Sequence, residues 1–298
     1  MKNRIAAAVA KAVHSQLKAL ESAQVREAKK SAKFVHDQAA ELMLALKKAQ
    51  SGKASAVLDV VTRSKLLKVV ADGALQTSRG LAHCAVSAVA SVAGDAASSI
   101  ERFFSTVKVP VPPKVLKPSE QYTAQIQEMA RRASGLTGID LRNEMLRKTR
   151  QLQLGKDTVG DLIDTAAATM LGQDWRVSRL VATEAAFSYN AVAQKAITEL
   201  SDEYPKLRMR WTELVSDLTG APLDNRVGID SIILHGQVAR AGELFKMPDD
   251  PQTPKGLVGR AWMHPPNRPR DRSVLVPWMP GWSVPAWVVD ANGKRRPL

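Results

Sequence analysis

The sequence predicts a mainly α protein: long N-terminal helices, a Pro-rich linker, a helical middle, and a small α+β C-terminal part with an extended Pro/Trp-rich tail. Three observations carry this. No Gly or Pro interrupts the chain before Gly52, and apolar residues recur there at three- and four-residue steps. Aromatic residues make up 5% of the 298 residues while hydrophobic residues make up 45%, a balance that favours closely packed Ala-rich helices over a β-sandwich. Prolines 110, 112, 113 and 118 crowd one short segment, and Gly and Pro become frequent again from Gly228 onward.

Residues 3 to 50 carry Ile5, Val9, Val13, Leu17 and Leu20, then Val25, Phe34, Val35, Leu42 and Leu44, the stripe of a long helix packed on one side. The opening Met1-Lys2-Asn3-Arg4 followed by Ala and Val resembles a signal segment, but Lys11, His14 and Lys18 interrupt it, so it reads as an amphipathic helix start. Residues 54 to 104 continue with Val57, Leu58, Val61, Leu66, Leu67, Val70 and Leu75, then an Ala/Ser/Val run from Leu81 to Ile100. Its small residues and the polar Arg79, His83 and Asp95 make a membrane span a poor reading. An antiparallel helical hairpin or an oligomeric bundle, in which small residues let helices approach closely, is the better one. Cys84 lies in this run and reads as a small buried hydrophobe; a single cysteine excludes an intrachain disulfide.

After the prolines, Ser119 stands in N-cap context for a helix through Arg132. A second helix is expected from Leu136 to Leu154 with Gly155 as its stop, and a third from Asp157 to Met170, closed by Leu171-Gly172. A long helix follows from Asp174 to Leu200, with Leu180, Ala185, Val192 and Ile197 on its apolar side. One more is expected around Lys206 to Leu218. Beyond Gly228 the pattern turns to short strands and turns, with Ser231-Ile-Ile-Leu234 and Ser273-Val-Leu-Val276 as candidates. Trp278, Trp282 and Trp287 stand among prolines 277, 280 and 285. Such aromatics read as anchors into a partner's surface, the alternative being that they cover this chain's own core.

Net charge is +14, unevenly placed. Residues 1 to 112 hold 17 Lys and Arg against 8 Asp and Glu, a balance of +9, while the rest hold 26 against 21, a balance of +5. Lys11, Lys18, Lys29, Lys30, Lys33, Lys47 and Lys48 are the candidates for contact with DNA phosphates, by sequence-independent attraction; the alternative is an ordinary solvated helix surface. No motif of a specific nucleic-acid-binding fold accompanies them, and Phe34 is the only aromatic in residues 1 to 102.

Enzyme signatures are absent. The chain has no Gly-rich phosphate loop followed by Lys-Ser/Thr, no His-Glu-x-x-His and no Gly-x-Ser-x-Gly, and histidines 14, 36, 83, 235 and 264 lack metal-ligand spacing. The expectation is therefore no enzyme, no catalytic residues, no metal and no cofactor. His235 beside Asp230 and Ser231 is the nearest approach to a nucleophile constellation, and sequence proximity alone does not build one.

Four short motifs stand in order: Arg179-Leu-Val-Ala-Thr-Glu184 with Ser188-Tyr189-Asn190 after it, Asp224-Asn-Arg226-Val227, Leu234-His-Gly-Gln237, and Pro265-Pro266-Asn-Arg-Pro269-Arg-Asp-Arg272. In order and spacing they resemble the tailed-phage minor head proteins, the Mu F-like phage head morphogenesis family, over about residues 175 to 275. Two departures limit what carries over. Ser231 stands where many members have His, and Arg270-Asp271-Arg272-Ser273 stands where the family closes on Asn-Cys-Arg-Cys, so no thiolate staple exists here. Arg179 and Glu184 are five apart, off the step for a mutual ion pair; with Arg226 and Arg272 they are expected to form a structural network that positions the tail.

The division this implies is a basic Ala-rich helical region over 1–106, a Pro-rich linker over 107–119, the helical part of a head-morphogenesis-like domain over 120–245, and a Pro/Trp-rich arm over 246–298. The two sides of the linker are expected to be separable, and residues 274–298 to be dispensable for helical content. The resemblance implies a structural virion protein, made in the host cytoplasm and placed in the head interior or at the portal vertex. Its implied partners are portal and capsid proteins, other copies of itself or internal virion proteins, and packaged DNA. The alternative is an internal virion protein ejected into the host whose residues 54 to 104 meet its membrane; a toxin-like effector is a weaker third, with no catalytic motif to support it.

Overall fold

The computed structural model describes residues 2–50, 52–112, 115, 120–212, 233–249, 253, 255–266, 271, 273–282, 287–289 and 295–297. It is mainly helical with a small C-terminal sheet region. Helices α1 (Lys2–Ala49) and α2 (Val60–Thr106) match the two long apolar stripes, and α5 (Asp174–Leu200) has the bounds its sequence predicts. Helix α4 (Val159–Leu171) starts at a reciprocal cap: the Thr158 hydroxyl accepts from Asp161 N, and the Asp161 carboxylate accepts from Thr158 N at 2.8 Å. Gly172 closes it as anticipated.

Two sequence expectations are corrected. The helices foreseen to Arg132 and from Leu136 form one helix, α3 (Glu120–Arg150). Gly135 and Gly138 lie inside it; a glycine weakens a helix but does not stop one when the opposite gain is close packing. At Gly138 a Cβ would meet Ser78 Oγ at 2.0 Å, so this position is glycine because α2 lies against it. The helix expected around Lys206–Leu218 is instead strand β1 (Arg208–Thr212), with residues 213–220 outside the described ones. Arg-Met-Arg-Trp-Thr alternates, and Met209 and Trp211 are fully buried while Arg208 and Arg210 are not, a two-residue period that only a strand satisfies.

The chain divides into two compact units, neither of them continuous in sequence. One comprises residues 1–24, 89–123 and 183–298; the other comprises 25–88 and 124–182. The prolines therefore do not mark the boundary that was expected of them. Val107, Val109, Val111 and Val115 of the proposed linker pack on the core of the first unit, and Tyr204 donates its hydroxyl to Pro110 O at 3.0 Å. A left-handed Lys108 (φ 59°), with Val109 N donating to Phe104 O at 2.9 Å, closes α2 ahead of the prolines, and the valines that follow still have apolar area to bury.

In the first unit the core gathers Val9, Val13, Leu17 and Leu20 of α1, Val92, Ile100, Phe103 and Phe104 of α2, the middle of α5, and a three-stranded antiparallel sheet. Its strand order is β2 (Val238–Ala239), β1, β5 (Val274–Trp278), with Trp211 opposite Leu275. Ser273-Val-Leu-Val276 is thus a strand as expected. It is also not part of an extended arm, since Val274, Leu275 and Val276 are fully buried in the core. Strands β3 (Phe245–Lys246) and β4 (Ala261–Trp262) form one small ladder, and β6 (Trp287–Val289) and β7 (Arg295–Pro297) another. Of the candidate strand at 231–234, Ile233 and Leu234 are helical and Ser231 and Ile232 lie outside the described residues.

In the second unit α1 and α2 run antiparallel, as Phe34 meets Gly80 and Leu42 meets Gly73. Leu42, Leu46, Leu66 and Val70 pack there with Leu141 and Met145 of α3 and Leu162, Ile163 and Met170 of α4. The loop before α2 pairs with the loop before α4 through Leu58 N to Asp157 O at 2.8 Å and Val159 N to Ala56 O at 2.9 Å. Cys84 is half-buried, and desolvation pushes its thiol up, with the Glu27 charge adding to the effect.

Candidate functional site

Within the first unit, Ser188-Tyr189-Asn190 of α5 forms a buried polar hub. Ser188, Tyr189 and Asn190 are all fully buried, and a polar side chain in that position is costly unless it is hydrogen-bonded. Each of the three reaches a different part of the unit. Ser188 Oγ donates to Val89 O of α2 at 3.0 Å, and Tyr189 OH reaches Gln16 O of α1 at 3.4 Å. Burial pushes the Tyr189 phenol well up. Asn190 Nδ2 donates to Ser273 O at 3.1 Å, and its Oδ1 accepts from Leu275 N at 2.7 Å.

This last pair gives β5 a neighbour on the side away from β1. A carboxamide carries one donor and one acceptor side by side, as a peptide group does, so Asn190 satisfies the C=O of one strand residue and the N–H of the residue two further on. The turn leading into β5 is held by the buried Asp271, whose Oδ1 accepts from Ser273 N at 2.8 Å and Ser273 Oγ at 2.6 Å. Gln24 Nε2 of α1 donates to Asp271 O at 3.0 Å. Nearby, Tyr122 OH donates to Ala191 O at 2.8 Å, with its phenol pushed up to about 12 by burial.

Of the expected network, Arg226 and Arg272 lie outside the described residues. Glu184 is half-buried, its carboxyl raised by desolvation, and it has no ion pair among the described residues. In the second unit, the Arg179 guanidinium carbon lies 5.4 Å from the centroid of the Trp175 ring.

Leu234-His-Gly-Gln237 is a structural turn. Gly236 adopts φ of 87°, which favours glycine, and its N–H donates to Trp211 O at 2.8 Å, while Trp211 N donates to Gln237 O at 3.0 Å. His235 is buried and its pKa is lowered to about 4, first by desolvation and then by the Arg210 charge, so the ring is neutral at pH 7. Asp230 and Ser231, the other members of the possible nucleophile constellation, lie outside the described residues. His264 packs edge-on against Phe187 at 4.8 Å between centroids, its Nδ1 faces Pro265 O at 2.5 Å, and burial lowers its pKa as well.

Trp278 and Trp282 are partly buried on the chain's own core. Trp278 Nε1 donates to Trp282 O at 3.0 Å, and the Trp282 ring lies 6.0 Å from that of Phe103. Trp287 opens β6. All seven candidate DNA-contact lysines are exposed on α1. Lys30 pairs with Glu27 at 3.0 Å and Lys33 with Asp37 at 2.8 Å, while Lys29, Lys47 and Lys48 have no ion pair among the described residues.

Among the described residues no group of three or more His, Cys, Asp or Glu side chains is placed to hold a metal ion. A shallow groove of about 200 Å³ in the second unit, between α1 and α2, is lined by Gln38, Glu41, Asp72 and Gln76 over Leu42 and Val69. No family model matches the chain, and no curated protein or solved structure shows significant similarity to it.

Sequence reasoning missed Trp175 and Arg176 at the start of α5. The signal for the Trp175–Arg179 contact was available in their four-residue step, whereas the one-residue step to Arg176 predicts no contact and only the structure shows it.

Proposed function

We propose that this chain is a structural minor head protein of a tailed bacteriophage, acting in head assembly at the portal vertex or in the capsid interior. The observation that carries the reading is the ordered motif series, together with the use made of its best-described member. Ser188-Tyr189-Asn190 is spent on tying α1, α2 and β5 to α5, which is the work of a scaffold and not of a reaction centre. A non-enzymatic role, without cofactor or metal, is part of this reading. The exposed lysines of α1 are its surface for DNA phosphates, bound without regard to sequence.

The test is incorporation. Phage particles assembled with an epitope-tagged copy should carry the protein in purified heads, and the protein should co-purify with the portal protein. Heads of normal composition and infectivity formed without the protein would remove the proposal.

The reading as an ejected, membrane-active internal protein is favoured by one observation. Helix α2 is long and apolar enough to span a bilayer, by length and composition, and 39% of its most apolar window is buried in the fold. Salt-resistant insertion into neutral vesicles would support it, whereas salt-sensitive binding to anionic vesicles alone would reflect surface charge.

A further inference from the structure

We infer that the second unit carries a single-stranded nucleic-acid surface built from the first two turns of α5 and the 26–33 stretch of α1, with Trp175 as its stacking platform. The inference deepens the DNA contact proposed above and rests on that part of it. Two contacts set the two stretches side by side. Ser178 Oγ donates to Ala28 O at 3.3 Å, and His36 Nε2 lies 3.6 Å from Asp174 Oδ2.

On this surface Trp175 is 47% exposed, and it is the only large exposed hydrophobic between residues 172 and 182 among the described residues. The exposed part of the indole offers an aromatic surface to a partner. The guanidinium carbons of Arg176 and Arg179 each lie 5.4 Å from its ring centroid. Arg176 is exposed and holds its guanidinium beside the indole, so ring and cation are presented together. On α1 the exposed Lys29, Lys30 and Lys33 extend the cationic surface from Ala28 toward His36. Glu27 is engaged by Arg26 at 2.7 Å and by Lys30 at 3.0 Å, and Asp37 by Lys33 at 2.8 Å. Lys29 and Arg176 have no ion pair among the described residues.

The combination selects the partner. An acidic protein segment brings carboxylates to the lysines but no regular series of flat rings to the indole. A membrane surface needs a contiguous apolar face around the tryptophan, and residues 172–182 offer none beyond the one ring. Nucleic acid uses both features at once, phosphate on the cations and a base on the ring, and only an unpaired base presents its face to an exposed indole.

The test is a fluorescence and anisotropy titration of the full-length protein with oligothymidylate, a duplex of equal length, and anionic vesicles. The wild type should bind the single strand more tightly than the duplex, with indole quenching. Trp175→Ala should lower the single-strand affinity about ten-fold and erase the preference, while Trp175→Phe should keep most of it. Arg176→Ala with Lys29→Ala should weaken binding to both polymers and flatten its salt dependence. Because these residues are exposed, unchanged circular dichroism will establish that the variants fold. Wild-type binding that Trp175→Ala leaves unaltered would overturn this surface while the wider DNA contact stands. No binding to either polymer would overturn both, and binding to vesicles alone would move the surface to a lipid partner.

Discussion

Asn190 in the middle of α5 forms, with its side-chain amide, both of the hydrogen bonds that a neighbouring strand would offer the backbone at Ser273 and Leu275. The relationship joins a helix to a sheet 85 residues further along the chain. It also explains why the outer edge of β5 in the strand order β2-β1-β5 is buried without a further strand beside it. Removing the amide should therefore strand two buried backbone groups. Asn190→Ala is expected to destabilise the fold by roughly 1 to 3 kcal/mol for each group left unpaired, measured by chemical denaturation. Asn190→Asp keeps an acceptor for Leu275 N but faces Ser273 O with oxygen, so it should not rescue. Wild-type stability in either variant would mean that water replaces the amide and that the edge is not closed by it.

Two glycines three residues apart in α3 should respond in opposite directions. Gly135 has open space where a Cβ would stand, so Gly135→Ala should stabilise by about 0.5 to 1 kcal/mol through helix propensity alone. A Cβ on Gly138 would meet not only Ser78 Oγ but also its Cβ at 2.6 Å and its Cα at 3.0 Å, and backbone cannot swing aside as a side chain can. Gly138→Ala is expected to lower the melting temperature, and Gly138→Leu to lower it further; a stabilising Gly138→Ala would mean that α2 and α3 are not in close contact at Ser78.

Acid should weaken the first unit before any carboxylate becomes protonated in the ordinary range. His235 has a folded-state pKa of about 4 against 6.5 for the free side chain. A depressed histidine contributes stability above its unfolded pKa and loses it as pH falls from 6.5 towards 4, at up to about 1.4 kcal/mol per pH unit. His264, lowered for the same reason, acts in the same direction. Glu184 acts the other way: its raised pKa favours the fold at low pH, and that contribution is lost as pH rises from 4.5 through the folded value. Stability measured between pH 7 and 4 should therefore fall less steeply in His235→Gln than in the wild type, and more steeply in Glu184→Gln. Parallel curves for His235→Gln and wild type would remove His235 as the source.

Cutting the chain should not separate it where its prolines suggest. Since one unit draws on residues 1–24, 89–123 and 183–298, a break in the segment 107–119 should leave the two pieces associated through a gel-filtration column without denaturant. Neither piece made alone should show cooperative unfolding. Deleting residues 274–298 removes β5, whose Val274, Leu275 and Val276 are fully buried, and leaves Trp211 without its partner strand. That truncation should expose apolar surface to a dye and abolish the unit's cooperative melt. A truncated protein that melts like the intact one would return these residues to the role of a separable arm.

What the sequence determined by itself was local. The long stripes of Val9, Val13 and Leu17 and of Leu66 and Val70, the Gly172 stop of α4, and the bounds of α5 rest on periodicity and on groups a few residues apart, so they are legible from neighbours in the chain. The alternation of Arg208 to Thr212 is equally local, and it reads as a strand where a helix was expected. What only the tertiary structure decided was which residues meet across long separations. Gly138 reads as one more position inside the helix expected from Leu136 until Ser78 is placed against it, and Asn190 reads as a motif letter until Ser273 and Leu275 arrive at its amide. The prolines of 107–119 read as a linker because proline ends helices. Whether the valines between them face solvent or core depends on what three distant stretches of chain bring alongside, and no residue within that segment encodes it.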